Sequence, residues 1–169
     1  MQTTVNKNIG FGVPGSIYDN GPLRSRPALL NTTDPTNNVP GRIFSVTALG
    51  DAGTGLIETR AAGAVSGAFV QPAMLIDPKA YIARGTTAGG SLAPSFALAN
   101  GEIGEFGTLG SFVVQVAAGF TLTGTVLGHI TTGVISVGTA DANNLAIPNA
   151  KVERWVDAAA GLAVITLTN

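Results

Sequence analysis

The 169-residue chain has no cysteine, one histidine and one tryptophan, and only 11% of its residues are charged. The lack of cysteine excludes disulfides, thiolate nucleophiles and cysteine metal sites. With a single histidine as well, we expect no metal site and no cofactor. The net charge of −1 gives no sign of a basic surface. We therefore expect neither nucleic acid nor a membrane as a partner.

The chain also lacks long apolar runs and any sustained helical period. No run reaches the ~18 residues of a membrane span. Short runs bounded by glycine and proline predict strands instead, among them 42–49, 56–60 and 65–76, with Pro72 placing the last at an edge or a kink. This pattern predicts an all-β protein, a compact β-sandwich or barrel (jelly-roll-like).

Three hairpins are predicted after residue 90. Asn100-Gly101 separates 91–99 from 102–108, and Asn-Gly is the residue pair that a tight type I′ turn favours. A three-residue loop, 131–133, separates 124–130 from 134–137. The loop 157–161 separates 150–156 from 162–168. Both faces of that last run are apolar, which favours a central strand.

The first 41 residues differ in pattern from the rest. Five prolines and five glycines fall between Ile9 and Gly41, so we expect no helix and no central strand there. Their apolar side chains are unlike those of a solvated linker. We predict an extended Pro/Gly-rich N-terminal arm over 1–41 and a β-body over 42–169. Alternatively Leu29, Leu30 and the region up to Gly41 pack on this chain's own body, which leaves about 20 residues free to extend.

The residues offer little chemistry. His129 lies in a predicted strand beside a turn, so we interpret it as structural and not as part of a Ser-His-Asp triad. Glu102 and Glu105 are three apart and would face opposite sides of a strand, unlike paired catalytic carboxylates. We therefore predict no catalytic residue and no enzyme. The pair Arg24 and Arg26 can bind carboxylates on a partner, although two solvated arginines remain the other interpretation.

Eight short segments spread over nearly the whole chain form one combined pattern: Val13-Pro-Gly-Ser16, Gly21-Pro-Leu-Arg-Ser-Arg-Pro27, Asn38-Val-Pro-Gly-Arg42, Asp77-Pro-Lys79, Leu98-Ala-Asn-Gly-Glu102, Glu105-Phe106, Ile147-Pro-Asn-Ala-Lys-Val152 and Ala160-Gly-Leu-Ala-Val-Ile165. In order and spacing these segments resemble the structural cement proteins of tailed bacteriophages, the Gp24-type capsid decoration family. The resemblance implies a non-enzymatic protein on the outer surface of the phage head, made in the host cytoplasm. It implies binding to the major capsid protein at subunit junctions, as a dimer or trimer at local symmetry axes.

An apolar arm on a capsid protein predicts contacts with a neighbouring subunit, partly by added strand hydrogen bonds. The predicted contact residues are Ile9, Phe11, Val13, Pro14, Ile17, Tyr18, Leu23, Arg24 and Arg26. The alternative function is a virion-surface carbohydrate-binding adhesion module. Sugar sites favour exposed aromatic rings, and Trp155, Tyr18 and Tyr81 are the only tryptophan and tyrosines in the sequence.

Overall fold

The computed structural model describes residues 14–18, 21–76, 97–116, 123–157 and 161–168. These residues form β-strands and one 3₁₀ turn, with no α-helix among them, which confirms the all-β prediction. They include no helix that is long and apolar enough to cross a membrane. The strands are β1 (Arg24–Leu30), β2 (Ile43–Ala48), β3 (Thr59–Ala62), β4 (Ala73–Leu75), β5 (Ile103–Gln115), β6 (Thr125–His129), β7 (Ile135–Gly138), β8 (Asn144–Ala146), β9 (Ala150–Asp157) and β10 (Leu162–Leu167).

Five of the strands close into a barrel, one of the two expected architectures. The larger sheet has the order β1-β3-β2-β4-β5-β10-β9, and β1 also pairs with β5. This extra pairing closes β1, β3, β2, β4 and β5 on themselves. Only the β1–β3 pair is parallel; its neighbours pair antiparallel. Strands β10 and β9 extend the sheet beyond the barrel, and β7-β6-β8 form a second sheet.

Strand β5 contributes to two apolar cores. Its first half places Phe106 in the barrel interior, where the ring meets Phe44 edge-on with centroids 5.2 Å apart. Its second half places Phe112 and Val114 in a core shared with β10 and the small sheet. The ring of Phe112 lies over Gly107, where a Cβ would be 2.2 Å from the Phe112 Cζ. A residue without a side chain is therefore needed at Gly107.

Strand β1 corrects the expectation that no central strand runs through the proline-rich segment. It pairs with β5 from Arg24 to Leu29, but with β3 only at Leu29 and Leu30. The Leu29 N–H points towards β3 and donates to the carbonyl of Glu58, the residue before β3, at 2.9 Å. The backbone nitrogen of Pro27, two residues earlier, points in the same direction, but β3 does not extend that far. The N–H that proline lacks is therefore not needed for pairing with β3. Leu30 is buried in the barrel, as in the alternative where this region packs on the body.

The other predicted strands agree with the structure to different degrees. The hairpins β6–β7 and β9–β10 are confirmed, and β10 lies centrally between β5 and β9. Strand β4 begins directly after Pro72. The Asn100-Gly101 hairpin is wrong over 97–99, which form no strand, and 91–96 lie outside the described residues.

The side chain of Asn100 has a different use from the one predicted. Its Oδ1 accepts from the Thr32 N–H at 3.0 Å and its Nδ2 donates to the Thr32 carbonyl at 2.7 Å. These two bonds tie the turn to the chain that follows β1. The Asn-Gly pair therefore serves a long-range contact rather than a local hairpin.

Candidate interaction surface

The single histidine has a structural environment. The Nδ1 of His129 accepts from the backbone N–H groups of Thr131 and Thr132 at 3.3 and 3.4 Å, which caps the β6–β7 turn. Among the described residues, no three His, Cys, Asp or Glu side chains lie together in a way that could hold a metal ion. Glu102 and Glu105 accept from the Ala99 N–H and the Ser25 hydroxyl respectively. His129, Glu102 and Glu105 thus each have a hydrogen-bond partner within the body.

The N-terminal segment 14–18 lies along the second half of β5. The Gly15 N–H donates to the Val113 carbonyl and the Tyr18 N–H donates to the Ser111 carbonyl, both at 2.8 Å. The Val113 N–H donates back to the segment at 2.9 Å. Because β10 pairs with these same β5 residues, the segment occupies the opposite edge of β5.

Gly41 determines how closely segment 14–18 approaches the body. Its φ is +81°, and a Cβ placed there would lie 2.8 Å from the Gly15 nitrogen and 2.8 Å from the Pro14 Cβ. Real Cβ atoms do not approach that closely. The chain therefore reaches β5 only because residue 41 has no side chain and tolerates a positive φ.

Two predicted contact residues in this segment lie on their own body. Ile17 is half-buried against the core between the sheets. The ring of Tyr18 lies 4.5 Å from the Arg154 Cζ, a cation–π contact with β9. Ile9, Phe11 and Val13 lie outside the described residues. Contact of any of these residues with a partner stays a prediction.

The remaining predicted contacts are exposed on or beside β1. Leu23 is 42% exposed, and the Arg24 and Arg26 side chains are exposed. Both arginines line one cavity, whereas Ser25 between them donates its hydroxyl to Glu105 at 2.6 Å. Strand alternation therefore places the two guanidinium groups on one face of β1.

The same cavity contains a third arginine that sequence reasoning missed. Arg60 of β3 is 1% exposed, and its Nε donates to the Glu58 carboxylate at 2.6 Å. Burial lowers the pKa of the Arg60 guanidinium, the Glu58 charge opposes that shift, and the Arg26 charge adds to it. No sequence pattern indicates that Arg60 lies beside Arg24 and Arg26, because this proximity depends on the parallel pairing of β1 with β3, between residues about thirty positions apart.

An exposed apolar loop connects β2 to β3. Leu49 and Leu56 are each 64% exposed, and Ile57 is 49% exposed. The loop is ordered by paired backbone hydrogen bonds between Asp51 and Leu56, at 2.9 and 3.0 Å. Three exposed large apolar side chains on one ordered loop make the loop a candidate surface for contact with another protein.

These features define the class of protein to which the molecule belongs. The described residues form a β-barrel with an N-terminal segment fixed along one strand, an arginine-lined cavity and an apolar loop. The molecule has the features of a structural or binding module.

The family model described as "structural cement protein (E217 gp24/Pam3 gp6)" matches residues 1–168, and the chain belongs to that family. A chain in the capsid of Myoviridae phage XM1 superposes with a TM-score of 0.64, covering 100% of this chain and 98% of that chain at 11% identity. At that identity the likeness shows the fold alone. No curated protein sequence matches the chain. Family membership gives the protein a structural role at the phage capsid and confirms the resemblance read from its segments.

Proposed function

We propose that this protein is a capsid cement protein that binds the outer surface of the phage head and stabilises junctions between major capsid protein subunits. The match of the family model over residues 1–168 carries the proposal. A protein that binds the intact shell better than the disrupted shell stabilises the intact one by mass action. The proposal needs no chemistry and matches a molecule whose described residues assemble none.

The N-terminal arm is the first proposed contact. Residues 14–18 are fixed on β5, so the thirteen residues before Pro14 begin at a defined point on the body. At about 3.3 Å per extended residue they span at most roughly 43 Å, enough to reach a neighbouring subunit. In this proposal Ile9, Phe11 and Val13 contact the neighbour, whereas Ile17 and Tyr18 hold the base of the arm.

The β2–β3 loop is the second proposed contact. Leu49, Leu56 and Ile57 expose apolar surface that a partner would remove from water, at about 25 cal/mol for each Å² buried. Apolar contacts of this kind are therefore expected to contribute to the affinity for the shell.

A decoration assay on particles that lack the protein tests both contacts. The triple variants Ile9→Ser/Phe11→Ser/Val13→Ser and Leu49→Ser/Leu56→Ser/Ile57→Ser should each reduce bound copies at least tenfold. Val134→Ser is the control, because Val134 is an apolar residue that is 41% exposed beside β7 in the smaller sheet. Full decoration by the arm variant would remove the arm from the proposal, and full decoration by the loop variant would remove the loop.

The stabilising role is tested by heating. Decorated particles should release their DNA at a higher temperature than undecorated ones, because rupture must also break the cement contacts. Equal release temperatures would show that the protein binds without stabilising the shell.

Oligomeric state stays a prediction, with a dimer or trimer expected by sedimentation. No observation favours the carbohydrate-binding alternative. Tyr18 is covered by Arg154, and the described phenylalanines, Phe44, Phe69, Phe106 and Phe112, are buried. The side chain of Trp155 and the whole of Tyr81 lie outside what the structure describes.

A further inference from the structure

The arginine-lined cavity has the composition of an anion site. It has a volume of about 380 Å³ and is lined by Arg24, Arg26 and Arg60 together with neutral residues. None of the described lining residues is acidic. The neutral residues are Gln71, Pro72, Thr108, Pro148, Asn149, Leu167 and Thr168.

Arg60 is held rigidly at the cavity. Its Nε donates to Glu58 at 2.6 Å, its Nη1 donates to the Gln71 carbonyl at 2.8 Å, and its Cζ lies 5.4 Å from the Phe106 ring centroid. No buried side-chain nitrogen of the described residues lacks a partner. Arg60 is 1% exposed, so it lines the cavity as a buried charge.

Arg24 and Arg26 bring two more guanidinium groups that are not neutralised. The Arg60–Glu58 pair is the one salt bridge among the described residues, so neither Arg24 nor Arg26 has an acidic partner there. Like charges that share a cavity repel each other, and a bound anion removes that repulsion. Arginine presents several donors in a planar fork that matches a carboxylate with two parallel hydrogen bonds.

The surroundings favour a small anionic group over a nucleic acid. Nucleic-acid surfaces carry basic residues along an extended stripe, whereas these arginines converge on one cavity. Of the other described arginines, Arg42 bonds to Asn37 and Arg154 covers Tyr18. The net charge of the chain is −1. The cavity is thus a local positive site on a nearly neutral protein.

We propose that the cavity formed by Arg24, Arg26 and Arg60 binds a carboxylate, supplied by an acidic side chain of a neighbouring capsid subunit. That this carboxylate comes from a capsid subunit rests on the proposed function. The carboxylate accepts bidentate hydrogen bonds from Arg24 and Arg26 at the mouth of the cavity. Arg60, fixed by Glu58, contributes a preorganised positive charge beneath them.

The first experiment uses the isolated full-length protein and simple salts. Titration with sodium acetate should shift the amide NMR signals of residues 24–26, Thr108 and Thr168, and sodium chloride at equal ionic strength should not. The shifts should vanish in Arg24→Gln/Arg26→Gln but persist in Lys151→Gln, which removes one exposed positive charge on β9. Absence of acetate-specific shifts would overturn the site. Inorganic phosphate shifting these signals at lower concentration would overturn the carboxylate assignment.

The second experiment measures binding to undecorated particles. Each arginine substitution should weaken binding on the order of tenfold, the size expected for a charge-assisted hydrogen bond. Arg26→Lys should recover only part of the loss, because lysine keeps the charge without the fork. Unchanged affinity in Arg24→Gln/Arg26→Gln would overturn the capsid source. If the wild-type protein itself fails to bind particles, the proposed function fails, and the acetate titration still decides the cavity.

Discussion

Replacing Gly41 with alanine should detach the base of the N-terminal arm while the barrel stays folded. The new Cβ would lie 2.8 Å from the Gly15 nitrogen and 3.0 Å from the Pro14 carbonyl carbon, both backbone atoms. Backbone atoms cannot rotate away as a side chain end can. Either the chain distorts at residue 41 or segment 14–18 leaves β5.

The structure limits the size of the effect. Alanine at φ +81° costs about 1–2 kcal/mol by itself. Release of segment 14–18 breaks three backbone hydrogen bonds worth about 1 kcal/mol each and the Tyr18–Arg154 contact, worth about 0.5–1 kcal/mol. Backbone entropy regained by the freed residues offsets part of this loss. The additional destabilisation should therefore be about 1–3 kcal/mol.

Gly101→Ala is the matched control, since Gly101 has φ +80° and no atom within 4 Å of the added Cβ. Urea unfolding should show the backbone strain in both variants and the additional loss only in Gly41→Ala. Amide hydrogen exchange should show lost protection at Gly15, Tyr18 and Val113 in Gly41→Ala alone. Equal stability of the two variants, with those amides still protected, would refute the close approach of segment 14–18 to Gly41.

Two further predictions concern charged groups. Glu58→Ala leaves the buried Arg60 without its counter-charge and should destabilise the protein by about 2–4 kcal/mol in urea unfolding, whereas Glu58→Ala/Arg60→Met should recover most of that loss. An unaltered urea midpoint for Glu58→Ala would show that the Gln71 carbonyl and solvent are enough to stabilise the Arg60 charge. Hydrogen bonds from Thr166 and Ser111 hold the pKa of Glu153 below its ordinary 4.5. Because the pKa of Glu153 is lower in the folded than in the unfolded protein, its ionised carboxylate stabilises the fold at pH values above the unfolded pKa. That stabilisation is lost as the pH falls through the folded pKa. Between pH 6 and pH 3 the free energy of unfolding of Glu153→Gln should therefore fall less than that of the wild type. Parallel pH profiles of the two proteins would contradict this.

Local sequence signals predicted the parts of the fold that are local. The β6–β7 hairpin follows from the 131–133 loop, where Gly133 takes φ +66°, and β9–β10 follows from two alternating runs around a short loop. Asn100-Gly101 carried an equally strong local signal, but Asn100 bonds to Thr32, 68 residues away. Turn chemistry predicts a turn and not the strands on either side of it.

Long-range pairing was not predictable in the same way. A proline prevents strand pairing only where its missing N–H would face a neighbouring strand. Whether Pro27 faces such a neighbour depends on where β3 begins, which the sequence does not show. The arginine cavity has the same origin. Arg24 and Arg26 were recognised as a pair from their spacing, but Arg60 joins them only because β1 closes the barrel.

Strand β5 connects the proposed contacts physically. Residues 14–18 pair with its second half and residues 24–29 pair with its first half, so the N-terminal chain follows β5 for most of its thirteen residues. The base of the arm and the two exposed arginines are therefore positioned by one strand that is also shared by both cores. A contact built on such a strand can transmit force from a shell junction into the barrel without first unfolding a loop. That rigidity is what a cement protein needs, because a stabilising contact resists displacement only if the element that carries it does not yield.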